Sequence, residues 1–597
     1  MVDYQKLYKM PEITRSLHSF GNENNSQEPK LELEKDQPEV EQVKAHEMAK
    51  KQREISISEF FEKNRHLLGF DNKRKALLTT IKEAVDNSLD ACDDAGILPE
   101  IEVSIYDMEN DRFRLIIEDN GPGIVKKQIP KIFAKLLYGS KFHSLKQNRG
   151  QQGIGISASV MYGQLTTGRP AKITSKIGVN YPAHYYELHI NTQNNKPEII
   201  KDEEKEWSKN HGTRIEIDLE GSYIKGSQSV DEYLKQTAII NPHTTIIYAN
   251  PKGEQIIFPR ATDKHPKQSE EIKPHPHGVE LGMLIKMLTW TKAKTIKQFL
   301  QTEFSRVGNK TANELLEEAA IIPKTKPQKI SRELAERIMK AIKKIKIMAP
   351  PTNCISPIGA ELLEKGLKKE VNAEFYTSVS RSPAVYRGNP FIIEAALAYG
   401  GHIPSEGSVQ ILRFANKVPL LYQQGACAIT ESIGKTSWRS YGLQQSGDNN
   451  PQGPCVILVH IASVWVPFTS EAKEAIAHYP EIIKEIKLAL QEVGRNLYKY
   501  IAKKRRVKDE LKKRDYIEKY IPAVAEALKE ILNFSDIEEQ NVIELLEEML
   551  EQQRGAIDKM EFDENKNQEY DKDFADIGKE EQKNDEEEIE GKNNGSY

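Results

Sequence analysis

Glu83 and Asn87 stand four residues apart in the segment EAVDNSLDA (residues 83–91), a spacing that puts a carboxylate and an amide on one face of a helix. An amide oxygen can ligate a hard Mg²⁺ ion whose other ligands are waters and phosphate oxygens, and a carboxylate one turn away can polarise an attacking water. The same residues, with Asp86 and Asp90, would equally make a solvated polar face. A second segment, EDNGPGI (118–124), sets Asp119 before Asn-Gly-Pro-Gly, a sequence that must turn sharply. A carboxylate there can accept from an exocyclic amine such as that of adenine, beside glycines that let a flat ring approach the main chain. An ordinary tight turn uses the same residue types. A third segment, RGQQGIGIS (149–157), spaces Gly150, Gly153 and Gly155 ahead of an apolar run, and consecutive backbone N–H groups at such a helix start bind phosphate. No GxxxxGK[ST] occurs, which excludes a P-loop.

Periodicity predicts the elements that hold these groups. Ala76, Leu77, Ile81, Ala84, Val85 and Leu89 recur at helical spacing, so residues 73–95 form an amphipathic helix carrying Glu83 and Asn87. The apolar run RLIIE (114–118) predicts a buried strand with Asp119 at its end. Apolar residues from 154 to 160 predict a helix starting at the glycine loop, preceded by a polar, lid-like stretch over 138–147. The dinucleotide fingerprint, which needs a strand running directly into the loop, does not fit. His211-Gly212-Thr213 then precede an alternating strand over 214–219.

In this order the segments resemble the GHKL ATPase superfamily, which includes type II topoisomerases, the large heat-shock chaperones, mismatch-repair ATPases and sensor histidine kinases. The resemblance implies a Bergerat-type α/β sandwich that binds ATP and Mg²⁺. It implies Glu83 as general base, Asn87 as the Mg²⁺ ligand, Asp119 as the adenine reader and Thr213 as its support. Arg149, Gly150, Gln151, Gln152, Gly153, Ile154, Gly155 and Ile156 would form the phosphate loop, with Ser140 and Lys141 in the nucleotide lid.

Beyond residue 278 the chain turns helical as far as about 349, with Leu281, Leu284, Ile285 and Leu288 at periodic spacing and a basic turn RVGNKT at 306–311. Residues 324–346 hold nine Lys or Arg against two Glu, with Ile330, Leu334, Ile338, Ile342 and Ile345 on one stripe, so the opposite face is cationic. Such a face is either simply solvated or a means of holding a phosphate backbone. The region resembles a helix-two-turns-helix insert. After Pro350-Pro351, strands are expected over 409–414, 418–422 and 455–461, and residues 471–477 are expected to open a helix leading into 479–500. The stretches RFANKVPLLY (413–422), WRSYGL (438–443) and VPFTSEAKEAIA (466–477) resemble the transducer domain of the archaeal topoisomerase VI B-subunit family.

That resemblance covers roughly residues 56–530 and implies an α+β multidomain chain. Its parts are an N-terminal extension (1–54), the ATPase domain (55–275), the helix-two-turns-helix domain (276–350), the transducer (351–505), a helical region contacting an A subunit (506–556) and an acidic tail (557–597). Lys473 is implied to reach the terminal phosphate and act in catalysis. The implied partners are the A subunit in an A2B2 heterotetramer, a second copy of the chain on ATP binding, and double-stranded DNA. None of the 23 tyrosines lies in surroundings suited to strand cleavage, and no suitable DxD occurs, so cleavage is assigned to the A subunit. Residues 516–550 would form the helical extension towards it, with Ile517, Ile521, Val524, Leu528 and Leu532 as the apolar face. A chaperone-type or mismatch-repair clamp would use the same nucleotide residues without the helical insert.

Composition agrees with this organisation. A chain of 597 residues exceeds the size at which one core stops growing. Four scattered cysteines, Cys92, Cys354, Cys427 and Cys455, form no CxxC, which fits a reducing compartment without structural zinc. With no signal peptide and no apolar run of spanning length, the chain is expected to be soluble and cytoplasmic, and the resemblance implies association with the nucleoid. The net charge of −4 conceals an asymmetry: residues 561–597 carry fourteen acidic side chains against five lysines, which leaves +5 on the rest. Basic surface, notably 324–346 and KKRRVKDELKKR (503–514), is compatible with DNA contact. Both polar ends are expected to be disordered.

Overall fold

The computed structural model describes residues 46, 48–50, 52, 54–141, 144–150, 153–470, 473–533 and 535–560, the last ten by backbone alone. The expectations for the N-terminal extension and the acidic tail fall almost wholly outside the described residues, as do Gln151 and Gln152.

A short helix α1 (Ile57–Lys63) precedes the long helix α2 (Lys73–Ala95). The Asn72 side chain caps α2 by accepting from the Lys75 N–H at 2.8 Å, and Gly96 ends it in the left-handed region. All six apolar positions that predicted this helix are buried. Strands β1 (Glu100–Asp107) and β2 (Arg112–Asp119) form a hairpin, followed by α3 (Ile129–Ala134), α4 (Gly155–Thr167), β3 (Ala171–Lys176), β4 (Ala183–Asn191) and β5 (Lys196–Lys205). Then come β6 (Gly212–Glu220), α5 (Val230–Ile240), β7 (Thr245–Ala249) and β8 (Gln255–Phe258). The strands make one eight-stranded sheet in the order β5-β4-β3-β6-β2-β1-β7-β8, antiparallel except for β1 beside β7. Leu77 and Ile81 of α2, Val160 of α4 and Leu234 of α5 share one core with Ile101, Leu115 and Ile217 of the sheet. Helices layered on a mostly antiparallel sheet give an α+β sandwich.

Four helices follow, α6 (Leu281–Trp290), α7 (Ile296–Glu303), α8 (Asn309–Glu318) and α9 (Arg332–Lys344). They bury a core of their own that includes Leu284, Phe299, Leu315 and Ile338. All nine basic residues between 324 and 346 are exposed. Of the predicted stripe, Ile338 and Ile342 are buried while Ile330, Leu334 and Ile345 pack half-buried against the same core.

The remaining unit comprises α10 (Ala360–Glu370), β9 (Phe375–Ser380), β10 (Ala384–Tyr386), β11 (Asn389–Tyr399), β12 (Gln410–Ala415), β13 (Val418–Pro419), α11 (Ala428–Gly434), β14 (Cys455–Ser463), α12 (Pro480–Leu532) and α13 (Asp536–Met560). Its sheet runs β10-β11-β14-β12-β13, with β9 also on β11. Every residue of β14 is buried because α12 covers one face with Ile486, Leu490 and Val493 while α10 covers the other with Leu363 and Leu367. Leu363 and Leu367 also meet Ile239 and Ile240 of α5, so the two sheet units share a seam. Gly366 permits that approach, since a Cβ there would lie 2.1 Å from the Ile239 carbonyl oxygen.

Two expectations need correction. The strand expected over 418–422 is shorter: it pairs at Val418–Pro419, the Leu420 N–H still donates to the Arg413 carbonyl at 2.8 Å, and beyond that the Arg413 guanidinium takes the Leu420 and Tyr422 carbonyls at 2.8 and 2.9 Å. Residues 473–477 are not helical: Lys473 adopts φ 54°, Thr469 N–H donates to the Ala475 carbonyl at 2.9 Å, and the helix starts at Pro480. Glu471 and Ala472 lie outside the described residues. The extension expected over 516–550 is helical, in two pieces: α12 runs unbroken from Pro480 to Leu532 and stops at Asn533 with φ 56°, and α13 folds back on it. Ile521 is buried with Ala525 and Leu550, while Ile517, Val524 and Leu532 stay exposed.

Candidate active site

A cavity of about 910 Å³ opens between the two sheet units. Its wall on one side is α2, where Lys75, Thr79, Glu83 and Asn87 line it in a single i, i+4 row. The end of β2, residues 137–141, the glycine loop and the start of α4 complete that side, and residues 419–422, Lys473 and Glu474 close it from the other unit.

Glu83 is packed against the first residue of α4. A Cβ built on Gly155 would lie 1.7 Å from Glu83 Oε2, so only glycine admits the carboxylate there. Asn87 Oδ1 stands one turn further on, 3.6 Å from where a Gly150 Cβ would sit. Gly155→Ala is therefore expected to push the carboxylate aside and, if Glu83 is the base that the resemblance implies, to lower ATP turnover about 100-fold, the scale of a small misplacement of a reacting group. Steady-state kinetics beside a melting curve checks this, and a variant with normal kcat would show that Glu83 need not lie where it does.

Asp119 is buried at the end of β2. Oδ1 accepts from the Gly121 and Thr213 N–H groups at 2.9 and 3.1 Å, and Oδ2 from the Ser88 hydroxyl at 2.8 Å. A carboxylate offers about four lone-pair sites, so Oδ2 retains one for an amine donor in the cavity. Burial pushes its pKa up, against the Ser88, Gly121 and Thr213 hydrogen bonds. Thr213 is fixed in turn by the Ser175 hydroxyl at 3.0 Å.

Arg149 does not face the cavity. Its buried guanidinium donates to Asp90 at 2.9 Å, to Asp93 at 2.8 Å and to Asn241 at 2.6 Å. Asp90 also accepts from the Lys141 ammonium and, at 3.3 Å, from the Gly150 N–H. Burial would raise the Asp90 carboxyl, but Lys141 and Arg149 outweigh it and hold it below the usual range. Asp93 is likewise held down despite burial, by Arg149, His243 and Lys417. Behind them lies Lys417, whose ammonium burial and Arg149 pull down to about 8. The Arg149 side chain thus pins the loop from behind α2, leaving only its backbone at the front.

The Lys473 ammonium meets that backbone, donating to the Arg149 carbonyl at 3.2 Å. Burial lowers its pKa, against the opposing pull of Glu83. Ser140, Gly150, Gly153, Ile154, Gly155, Ile156 and Thr213 all line the cavity with Glu83, Asn87, Asp119, Lys141 and Lys473, whereas Gln151 and Gln152 lie outside the described residues. Lys75, Ser88, Tyr422 and Glu474 also line it, and none of the motifs in the sequence singles them out. Lys75 was reachable, being two turns before Glu83 on the same helical row.

The chemistry of the donor set fits a nucleoside triphosphate with its metal: an acceptor for an amine at one end, glycine amides at a helix start, an amide oxygen, and lysine at the other. Among the described residues no cluster of three or more His, Cys, Asp or Glu could hold a metal by protein ligands alone. A cation here would draw its remaining ligands from phosphate and water.

The family model for histidine kinase-, DNA gyrase B- and HSP90-like ATPases matches residues 72–221, and that for the topoisomerase VI B subunit transducer matches residues 350–513. A protein from Methanococcoides burtonii, named as the B subunit of type 2 DNA topoisomerase 6, is 53% identical over 489 residues, covering 82% of this chain and 79% of the relative. Proteins of the same name from Archaeoglobus fulgidus and Natronomonas pharaonis are 48% and 37% identical, over 83% and 82% of this chain and 82% and 84% of their own lengths.

Proposed function

Because this chain belongs to the B-subunit family of type 2 DNA topoisomerase 6, we propose that it is the ATP-hydrolysing component of a type IIB DNA topoisomerase. It pairs with an A subunit in an A2B2 assembly that passes one DNA duplex through a break in another. The observation that carries this reading is that Lys473, from the transducer, meets the phosphate loop inside the cavity that also holds Glu83, Asn87 and Asp119. A nucleotide bound there would touch both units, so its presence is felt where they meet.

In this mechanism Asp119 takes the adenine amine on its free lone pair, and the amides of residues 153–156 take the phosphates. Asn87 would hold Mg²⁺ through its amide oxygen, and the ion would supply neutralisation of the phosphate charge. Glu83 accepts the proton of the attacking water as its oxygen bonds to the terminal phosphorus and the bond to the ADP oxygen breaks. Lys473 holds its ammonium against the terminal phosphate and moves when that group leaves, which turns the transducer relative to the ATPase domain. Two copies close on ATP binding and form the gate. Residues 276–350 act as a helix-two-turns-helix domain whose exposed basic face contacts DNA. The helical region after 506 reaches the A subunit. No described helix is long and apolar enough to cross a membrane, and the site of action is the cytoplasm, on the nucleoid.

The test is ATP hydrolysis by the purified chain, alone and with an A subunit and supercoiled DNA, while plasmid relaxation is followed. ATP-dependent relaxation that needs both subunits supports the proposal, and turnover without relaxation in any pairing moves the function to a stand-alone ATP-operated clamp. Asn87→Ala should weaken ATP binding at least tenfold in Mg²⁺ but little in EDTA, on the scale of a lost charge-assisted contact of about 1.5–3 kcal/mol. Full affinity in Mg²⁺ would remove Asn87 from the metal site.

A further inference from the structure

Lys75 sits in the first turn of α2, on the row that leads to Glu83 and Asn87. Its ammonium, on a side chain 14% exposed, pairs with Glu474 at 2.5 Å and Asp71 at 3.1 Å and lies 5.3 Å from the ring centroid of Tyr422. Glu474 and Tyr422 both come from the transducer. Glu474 follows Lys473 directly, and Tyr422 ends the segment that Arg413 holds. One cation of the ATPase domain therefore grips both transducer segments that line the nucleotide cavity.

Glu474 is 7% exposed at its side chain, and a carboxylate buried to that degree is costly unless a donor or a cation satisfies it, a place that the Lys75 ammonium fills. If Lys75 did not supply that cation, the preceding residue in the chain, Lys473, would be drawn to it. Lys473 also holds φ 54°, a conformation that a non-glycine residue keeps only where its surroundings fix it. Its N–H donates to the Ser470 carbonyl at 3.1 Å, and a β-bridge between Phe468 and Ile476 closes the loop behind it.

We propose that the Lys75–Glu474 pair is an interdomain latch that positions Lys473. By neutralising Glu474 it leaves the Lys473 ammonium free to face the Arg149 carbonyl and the phosphates bound beside it. By tying the loop to α2 it keeps that ammonium in register with Glu83. Lys75 and Glu474 are positioning residues, since neither is assigned a contact with the reacting atoms. The inference rests on the assignment of Lys473 to the terminal phosphate given above.

A double-mutant cycle on the full-length chain with its A subunit and DNA tests it, with kcat and KM for ATP measured beside the affinity for a non-hydrolysable ATP analogue. Lys75→Met strands Glu474 beside Lys473 and should lower kcat about 100-fold, with analogue affinity changed less than about threefold. Glu474→Gln removes the competing carboxylate and should cost less than about tenfold in kcat. The double variant should return to the level of Glu474→Gln, a non-additivity expected only if the two side chains act on each other. Should Lys75→Met fail to fold, the exchanged pair K75E with E474K decides: kcat above that of either single variant supports the latch, and kcat no better than the worse one overturns it. Lys75→Met within about twofold of wild type, beside an inactive Lys473→Met, overturns the latch and leaves Lys473 in place. Wild-type turnover by Lys473→Met overturns the assignment of Lys473 and the latch with it.

Discussion

Glu83→Gln should bind Mg²⁺ and ATP with near wild-type affinity and hydrolyse it about 10²–10⁴ times more slowly, the range expected for loss of a positioned general base. Glutamine keeps the length of the side chain, so the contact with Gly155 at the start of α4 survives, and what is lost is an oxygen able to take a proton. Equilibrium binding and single-turnover hydrolysis separate the two effects. Unchanged turnover would remove Glu83 as the base. Equal losses in binding and in turnover would instead make the carboxylate an organiser of the phosphate loop. If Glu83 is the base, the variant also holds the assembly in its ATP-bound, closed form, and ATP should then support no more than about one strand-passage event per complex.

Much of this site was legible because its parts are local. The row that carries Glu83 and Asn87 follows from the six apolar residues that bury the opposite side of α2. The Asp119 turn follows from a strand whose alternate residues enter the core, and the helix after the glycine loop from the apolar residues beyond it. Other features depend on distant parts of the chain meeting, which no window of sequence reports. The helix expected over 471–477 fails over 473–477 because residues 468 and 476 close into a bridge and Lys473 is held against a carbonyl more than three hundred residues away in sequence. The strand expected over 418–422 gives out after Leu420, where the Arg413 guanidinium takes the Leu420 and Tyr422 carbonyls in place of a ladder partner. α12 continues past the body of the transducer on a run of helix formers and passes through Pro522, an interior residue that sequence reasoning takes as a helix breaker, before it stops at Asn533. Lys75 reads in sequence as one more helix-surface lysine, and only the approach of Glu474 and Tyr422 gives it a role.

Arg149 shows most clearly how a motif position and its side chain can differ in purpose. By resemblance Arg149 belongs to the phosphate loop, and its backbone lies there, but the guanidinium is spent on Asp90, Asp93 and Asn241. Arg149→Met should therefore act first on stability, by about 3–5 kcal/mol, because it leaves two buried carboxylates without their shared cation. The effect should carry the pH signature of those carboxyls. In the wild type both are held below their unfolded values, so their contribution is present above about pH 4 and is lost as the pH falls through the folded values. In the variant, burial acts on Asp90 with only Lys141 left as a cation beside the Gly150 N–H and on Asp93 with only His243 and Lys417, so both carboxyls rise and the folded state is penalised above that pH. The stability gap between the two proteins is then widest at neutral pH and narrows towards about pH 4. Denaturant unfolding of both proteins from pH 7 down to pH 4 measures it. A gap that does not change with pH would mean that the loss is one of packing, and that Asp90 and Asp93 do not depend on Arg149 for their charge.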